Sequence, residues 1–380
     1  MNKFESYYAE KYEFKNLELT LSRINDALNE VKFTQSTLGR VIHIAGTNGK
    51  GSTSYFIYQM LQNAGFKTAL FTSPHILKIN ERIVYNGNEI SNDELNNIFI
   101  KYENIIIKHN LSYFEAIFFI AILFFSINQP DYTILETGMG GRYDATNTSL
   151  INNKLCVITS MGYDHAAYLG NNIYSIINEK LGIIRETSNV ILAYNSISIT
   201  NYISKQLSNS INIISKDMIK ENENYPYPYN ENYITAKTIY NTLLNKDFSD
   251  KIKLKLPPCR MEKIGRIILD GSHNMHGIIK IKNSWKKHNI ECILFTVTND
   301  RDIYDTLNIL QTVCSNIIVT TLPNNVRSIE NFTSDNTKFI QMPDDAFNYA
   351  VEYYKGNILV TGSFYLCAYI KEYMKRCSNV

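Results

Sequence analysis

The chain has almost no charge imbalance. Over 380 residues, 38 lysines and arginines face 36 aspartates and glutamates, leaving a formal net charge of +2 with both signs dispersed. That removes the electrostatic footprint through which nucleic acid or an anionic membrane is bound, so neither is expected as a partner. The six cysteines, at 156, 259, 292, 314, 367 and 377, include no C-x-x-C pair and no metal-binding spacing. They read as reduced thiols of a cytoplasmic protein. Long apolar runs are lacking too. The longest, Ala116 to Phe125, is about half of what a bilayer span needs and fits a buried helix. The opening Met1-Asn2-Lys3-Phe4-Glu5 has no apolar segment of the secretory-leader kind, and no internal repeat is visible.

Hydrophobic residues make up 44% of the chain, enough for buried sheets, and the length predicts two domains. Strand-like runs at 41–45, 67–72, 132–136, 154–160 and 189–194, then 266–270, 291–297, 315–321 and 357–361, alternate with helical patterns. The helical patterns fall at 52–64, 92–109, 113–127, 172–185, 232–245, 276–287, 302–313, 343–355 and 363–376. Such alternation predicts an α/β fold with crossover helices on a mostly parallel sheet. Pro257-Pro258 follows an Asn-, Tyr- and Pro-rich stretch. The expected division is therefore a P-loop-type sheet domain over 1–256, a linker over 257–265 and a smaller Rossmann-like α/β domain over 266–380.

One stretch stands out: His43-Ile44-Ala45-Gly46-Thr47-Asn48-Gly49-Lys50-Gly51-Ser52. A β-type run enters a glycine-rich turn, and Phe56, Ile57, Met60, Leu61 and Ala64 follow at helical spacing. This order cradles nucleotide phosphates. Glycines admit backbone N–H groups to the oxygens, the helix N-terminus adds positive charge, a lysine neutralises the terminal phosphates and a hydroxyl ligates Mg²⁺. The loop departs from the general pattern, because Gly51 separates Lys50 from Ser52 and Gly46 stands unusually close to Lys50.

Polar residues and glycines also close the other strands, where ligands bind in open α/β sheets. After strand 67–72 comes Thr72-Ser73-Pro74-His75; Ser73 is either a second Mg²⁺ ligand or a helix cap. Strand 132–136 ends on Glu136, before Thr137-Gly138-Met139-Gly140-Gly141-Arg142-Tyr143-Asp144. A carboxylate there must anchor a metal or pair with a cation such as Arg142. Asp164-His165 follows strand 154–160, and His165 is a candidate for metal or phosphate contact. Glu179-Lys180 reads on its own as a solvated helical charge pair. In the second domain a strand runs into Asp270-Gly271-Ser272-His273, and Arg260 is placed to reach a phosphate.

Taken together, HIAGTNGKGS (43–52), TSPHILKINERI (72–83), SYFEA (112–116), LETGMGGRYDATN (135–147), DHAAYLG (164–170), EKLGIIR (179–185), CRME (259–262), LDGSHN (269–274) and TGSFY (361–365) resemble the folylpolyglutamate synthase/dihydrofolate synthase branch of the Mur ligase superfamily. The resemblance covers most of the chain. It implies that Asn48, Gly49, Lys50, Gly51, Ser52 and Thr53, with Asn232, Arg260 and Asp270, bind ATP. Ser52, Ser73 and Glu136 would hold one Mg²⁺, and His165 would help hold a second. Lys180 would be carbamylated, which reverses the solvated-pair reading, and His273 would lie near the γ-phosphate. Catalysis would rest on Lys50, Lys180 and His273. Ser22 and Arg23, Ser112, Tyr113, Phe114 and Glu115, and Tyr143, Asp144 and Ala145 would line the pterin or folate side. Cys259 replaces the family's usual glycine, and Ser272 and Met275 its alanine and proline.

The implied reaction is ATP-dependent amide formation. A carboxylate of dihydropteroate or a reduced folate takes the γ-phosphoryl group, and L-glutamate displaces phosphate from the acyl phosphate. A monomer is implied, with both dihydrofolate synthesis and tail lengthening within reach. The alternatives are another Mur-type ligase of cell-wall precursors and a non-catalytic ATP-binding protein.

Overall fold

The computed structural model describes residues 3–8, 20–163, 172–220, 222, 224–298, 303–322 and 337–378. Two compact units divide the chain. The first holds Met1–Lys220 and Tyr229–Lys255, the second Glu221–Pro228 and Leu256–Val380. The fold class is α/β, as the alternating pattern predicts.

In the first unit eight strands form one sheet: β1 (Arg40–Ala45), β2 (Thr68–Phe71), β3 (Ile83–Tyr85), β4 (Asn88–Glu89), β5 (Tyr132–Glu136), β6 (Lys154–Ile158), β7 (Asn189–Leu192) and β8 (Ile211–Ile213). Their order is β4-β3-β2-β5-β1-β6-β7-β8. All neighbours from β2 to β8 pair in parallel, and β3 and β4 add an antiparallel edge. Central parallel strands are covered on both faces, so β1, β5 and β6 read as nearly unbroken apolar runs. Register sets the strand ends level: Ile44 faces Glu136, Ala45 faces Ile158 and Phe71 faces Leu135. The loops leaving β1, β2, β5 and β6 therefore meet at one sheet edge.

Two helices position that edge. Helix Lys50–Asn63 follows β1 directly and packs on helix Tyr229–Leu244, with Phe56 edge-on to Tyr233 at 5.7 Å. Helix Tyr113–Asn128 is apolar all round, and residues 115–125 are buried, the expected outcome of its continuous hydrophobic run. Among the described residues no helix is long and apolar enough to cross a membrane.

The second unit holds β9 (Glu262–Ile264), β10 (Ile267–Asp270), β11 (Ile290–Phe295), β12 (Ile317–Val319), β13 (Lys338–Phe339) and β14 (Asn357–Thr361). Their order is β13-β12-β11-β14-β10-β9, parallel except for β9. The expected linker 257–265 thus contains a strand. Gly265, at φ +58°, supplies the left-handed residue for a two-residue hairpin between β9 and β10.

Candidate active site

The glycine loop is held from below by the neighbouring strand end. Thr47 and Asn48 donate their backbone N–H groups to the Ser160 carbonyl at 2.9 and 3.2 Å, and the Thr47 hydroxyl donates to the Gly162 carbonyl at 2.9 Å. Lys50 opens the helix, and its ammonium donates to the carbonyls of Gly46 and Thr47 at 3.1 and 3.3 Å. Ser52 and Thr53 are buried in the first turn.

Gly49 is the helix N-cap at φ +88°. A Cβ built there would stand 2.3 Å from Oδ1 of Asn232. The loop and Asn232, distant in sequence, are therefore neighbours. Gly49→Ala is expected to weaken nucleotide binding at least about tenfold and to lower stability by about 1–2 kcal/mol, since it combines a left-handed φ with a clash. Nucleotide titration and urea unfolding measure the two effects. An unchanged affinity would show that the loop tolerates the displaced Asn232.

Glu136 ends β5 and is buried. Its Oε2 accepts from the Thr72 hydroxyl and, at 3.2 Å, from the Ser73 backbone N–H. A Cβ on Gly51 would lie 3.4 Å from both of its oxygens. The glycine between Lys50 and Ser52 thus leaves the carboxylate against the start of the phosphate-loop helix. Arg142 turns elsewhere and pairs with Glu179, at 3.6 Å. The cation named as a possible partner of Glu136 thus pairs with another carboxylate, and the reading of Glu179-Lys180 as a solvated pair is corrected, because Lys180 is only 2% exposed. Hydroxyls of Ser52 and Ser73 with the Glu136 carboxylate, the set the resemblance implies, would be hard oxygen donors of the kind that suits Mg²⁺. Among the described residues no group of three His, Cys, Asp or Glu gathers into a metal cluster. His165 lies outside the described residues.

The loop after Glu136 is organised by Asp144. Its Oδ2 accepts the backbone N–H groups of Gly138 and Met139, both at 2.9 Å, and its Oδ1 accepts the N–H and hydroxyl of Thr146. Burial pushes this carboxyl up, against the pull of those four donors. Gly141 is in close contact with the end of helix Ile173–Leu181: a Cβ there would stand 2.8 Å from the Glu179 carbonyl and 3.0 Å from that of Lys180. The Arg142 N–H donates to the Glu179 carbonyl at 2.8 Å. The backbone of Lys180 is therefore carried beside the loop that follows Glu136.

Beneath this loop lies a polar cluster that sequence reasoning missed. Lys154, at the start of β6, is 4% exposed and His43, in β1, is fully buried. The ammonium of Lys154 lies 3.0 Å from His43 Nδ1 and 2.9 Å from Asn147 Oδ1. Burial brings Lys154 down from 10.5 to about 8, with Arg185 adding to the fall and Cys156 and Asp144 opposing it. His43 is pushed well below its usual range by burial, then by Lys154 and Arg185. The sign follows. Below pH 8 the ammonium is charged in both folded and unfolded chains and its burial penalty is complete. Between about pH 8 and 10.5 the unfolded chain keeps the proton that the folded chain has lost. The contribution of Lys154 to stability therefore rises with pH, by about 3 kcal/mol in all. Urea unfolding of wild type and Lys154→Met at pH 7.5 and 10 should show wild type gaining stability relative to the variant at the higher pH. A constant difference would contradict it.

Among the residues assigned to the pterin side, Arg23, Ser112 and Glu115 hold one another and the rest are held by other neighbours. Ser112 caps helix Tyr113–Asn128 and forms a capping box with Glu115, a device worth about 1 kcal/mol. Glu115 also accepts Nε of Arg23 on both oxygens, at 3.2 and 3.0 Å. Phe114 packs on Phe71 and would touch a Cβ on Gly138 at 2.6 Å. Tyr113 packs on Phe4 and Tyr8. Tyr143 is exposed and Ala145 buried, while Ser22 lies 3.0 Å from the Thr20 hydroxyl.

In the second unit Asp270 is fully buried at the end of β10 and accepts the N–H groups of Met261 and Ser272, each at 3.1 Å. Cys259 and Met261 flank Arg260 with φ of +56° and +49°. A glycine would adopt either angle freely, which accounts for the glycine usual at position 259. The Arg260 guanidinium stands 3.8 Å over the Phe364 ring, and His273 meets the same ring edge-on at 5.2 Å. His273 Nδ1 lies 2.9 Å from the Gly271 carbonyl. Phe364 thus gathers Arg260 and His273. Its only signal in the sequence is its place in TGSFY.

A strand, a glycine loop and a lysine-headed helix, with a buried carboxylate at the adjoining strand end, define a nucleotide-dependent phosphoryl-transfer scaffold. The model of the Mur ligase middle domain matches residues 44–265, and the chain belongs to the Mur ligase family. It is 28% identical to dihydrofolate synthase/folylpolyglutamate synthase of Bacillus subtilis, over 93% of this chain and 96% of that one. To dihydrofolate synthetase of Saccharomyces cerevisiae it is 38% identical over 45% of this chain and 40% of that one. The solved structure of Escherichia coli FolC in complex with DHPP and ADP superposes with a TM-score of 0.86 at 26% identity, covering 99% of this chain and 98% of the other.

Proposed function

We infer that this protein is an ATP-dependent ligase that joins L-glutamate to dihydropteroate, to folate polyglutamates, or to both. The observation that carries the reading is the Glu136 carboxylate set against Gly51 at the head of the phosphate-loop helix. The full-length similarity to the Bacillus subtilis enzyme and to the DHPP- and ADP-bound Escherichia coli structure supports the acceptor class.

On this reading the loop amides and Lys50 hold the ATP phosphates, while Asn232, Arg260 and Asp270 contact the nucleotide. Ser52, Ser73 and Glu136 would hold Mg²⁺, and His165 would help hold a second ion. When bound, the metal supplies charge neutralisation for the transferring phosphoryl group. Lys180 as a carbamate would turn a buried cation into an anion beside the site. Ser22, Arg23, the 112–115 segment and the 143–145 loop would position the pteroate. His273 would add positive or hydrogen-bonding character near the γ-phosphate. The chemistry asked of the protein is mainly orientation and electrostatic stabilisation. We place the working form as a monomer in the reducing cytoplasm; the resemblance supports the first, and six free cysteines, five of them buried, the second.

The test is ADP release from purified protein with glutamate and either dihydropteroate, tetrahydrofolate or a uridine-linked peptide. Turnover with a pterin acceptor is expected. Turnover only with the uridine-linked peptide would assign a cell-wall ligase instead, and nucleotide binding with no turnover on any acceptor would assign a non-catalytic protein.

A further inference from the structure

Lys154, His43, Thr146 and Asp144 form one continuous buried chain. The His43 Nε2 to Thr146 Oγ1 distance is 2.8 Å, and that from His43 Nδ1 to Lys154 Nζ is 3.0 Å. None of the four residues is more than 7% exposed. Register explains how the first two meet. Val41 faces Lys154 and His43 faces Cys156, so positions 43 and 154 project from the same face of the sheet.

The chain has one consistent arrangement of protons. Two loop N–H groups donate to Asp144 Oδ2 and the Thr146 N–H donates to Oδ1. The Lys154 ammonium can only donate, so His43 Nδ1 accepts from it, and the three N–H donors on the Asp144 carboxyl oppose the burial that raises it. An ionised Asp144 only accepts, so the Thr146 hydroxyl must donate to it and its oxygen must accept from His43 Nε2–H. His43 is then the neutral Nε2–H tautomer, and its Nδ1 accepts from Lys154. Two dipoles lie head to tail between a cation and an anion, and each strengthens the next. The charged groups facing the chain are Arg185, Lys154 and Asp144, with the Cys156 thiol beside Lys154. A second branch leaves Lys154 through Asn147, whose amide donates to the carbonyls of Arg142 at 2.9 Å and Gly182 at 3.0 Å.

We propose that Lys154, acting through His43 and Thr146, is a positioning residue for the acceptor-binding loop, and that Thr146 is the joint through which it fixes the Asp144 carboxylate. A buried ionic group is seldom the cheapest way to fill a core; here its two branches end on both sides of the 138–147 loop. The inference rests on the proposed role of residues 143–145 in binding pteroate. Loosening the chain should then alter recognition of the acceptor and leave that of ATP alone.

The experiment compares Thr146→Val, Thr146→Ser and Lys154→Met in steady-state assays with dihydropteroate, ATP and glutamate each varied in turn. Thr146→Val keeps the shape and removes the hydroxyl, and is expected to lower kcat/KM for dihydropteroate by about tenfold or more, chiefly through KM. Lys154→Met should do the same. KM for ATP should stay within about twofold, and Thr146→Ser, which restores the hydroxyl, should recover most of the loss. A folded Thr146→Val with unchanged kcat/KM for dihydropteroate, or with KM for ATP raised equally, would overturn the proposal. If Lys154→Met does not fold, Thr146→Val decides alone. An independent readout needs no turnover: ¹⁵N NMR of labelled wild type should find His43 as the Nε2–H tautomer from pH 6 to 8. An Nδ1–H tautomer or an imidazolium would refute the chain even in a protein that makes no product. A wild type that is inactive on every pterin but carries the expected tautomer would sink the ligase reading and the acceptor role with it, leaving the proton arrangement standing.

Discussion

Glu136→Ala is expected to lower kcat by at least about a hundredfold at saturating Mg²⁺ and ATP, the effect of losing one preorganised electrostatic group. The side chain ends the strand that pairs with β1. It is buried, accepts from Thr72 and Ser73, and faces the one position of the helix head that carries no Cβ. Removing it leaves the Thr72 hydroxyl and the Ser73 amide without that acceptor and takes away the charge that would anchor a divalent ion. Glu136→Gln separates the two losses, since its carbonyl oxygen preserves an acceptor and removes the charge. Both variants should be similarly impaired if charge is what matters. Near-normal turnover in either would remove Glu136 from the metal site.

Lys180→Ala is expected to lose about 10²–10³-fold in kcat and to regain part of it in acetate or formate. Lys180 is buried in the last turn of its helix, and its carbonyl lies beside Gly141. The neutral amine is the form that adds to carbon dioxide, giving a carbamate and a proton. A small carboxylate can stand in for the carbamate but not for an ammonium, so rescue discriminates between the two. Full activity without additive would show that Lys180 is structural. Loss of activity that added carboxylate does not rescue would show that any role it has is as a cation.

What the sequence made legible was local. The β1 run, the glycine loop and the helix after it are contiguous, and hydrophobic spacing with glycine placement defines all three. Glu136 was legible for the same reason, because a lone carboxylate ending an apolar run is conspicuous. Asn232 carried no signal of its own; only tertiary packing brings it to Gly49. Lys154 and His43 were missed because each sits in an apolar strand run and becomes meaningful only when parallel pairing puts them on one face. The short edge strands β3, β4, β8, β9 and β13 were missed because they are two or three residues long. A segment that short owes its conformation to the neighbour it pairs with rather than to its own pattern. Ser112 and Glu115 show the opposite difficulty: the spacing that marks a binding motif is also that of a capping box.

The central claim is that a substrate carboxylate is activated by phosphoryl transfer from ATP. Dihydropteroate labelled with ¹⁸O in its carboxylate tests it directly, by mass spectrometry of the phosphate released during turnover with glutamate. One ¹⁸O atom per phosphate is predicted, because the carboxylate oxygen that attacks the γ-phosphorus leaves with it. Amide product accompanied by unlabelled phosphate would contradict the account.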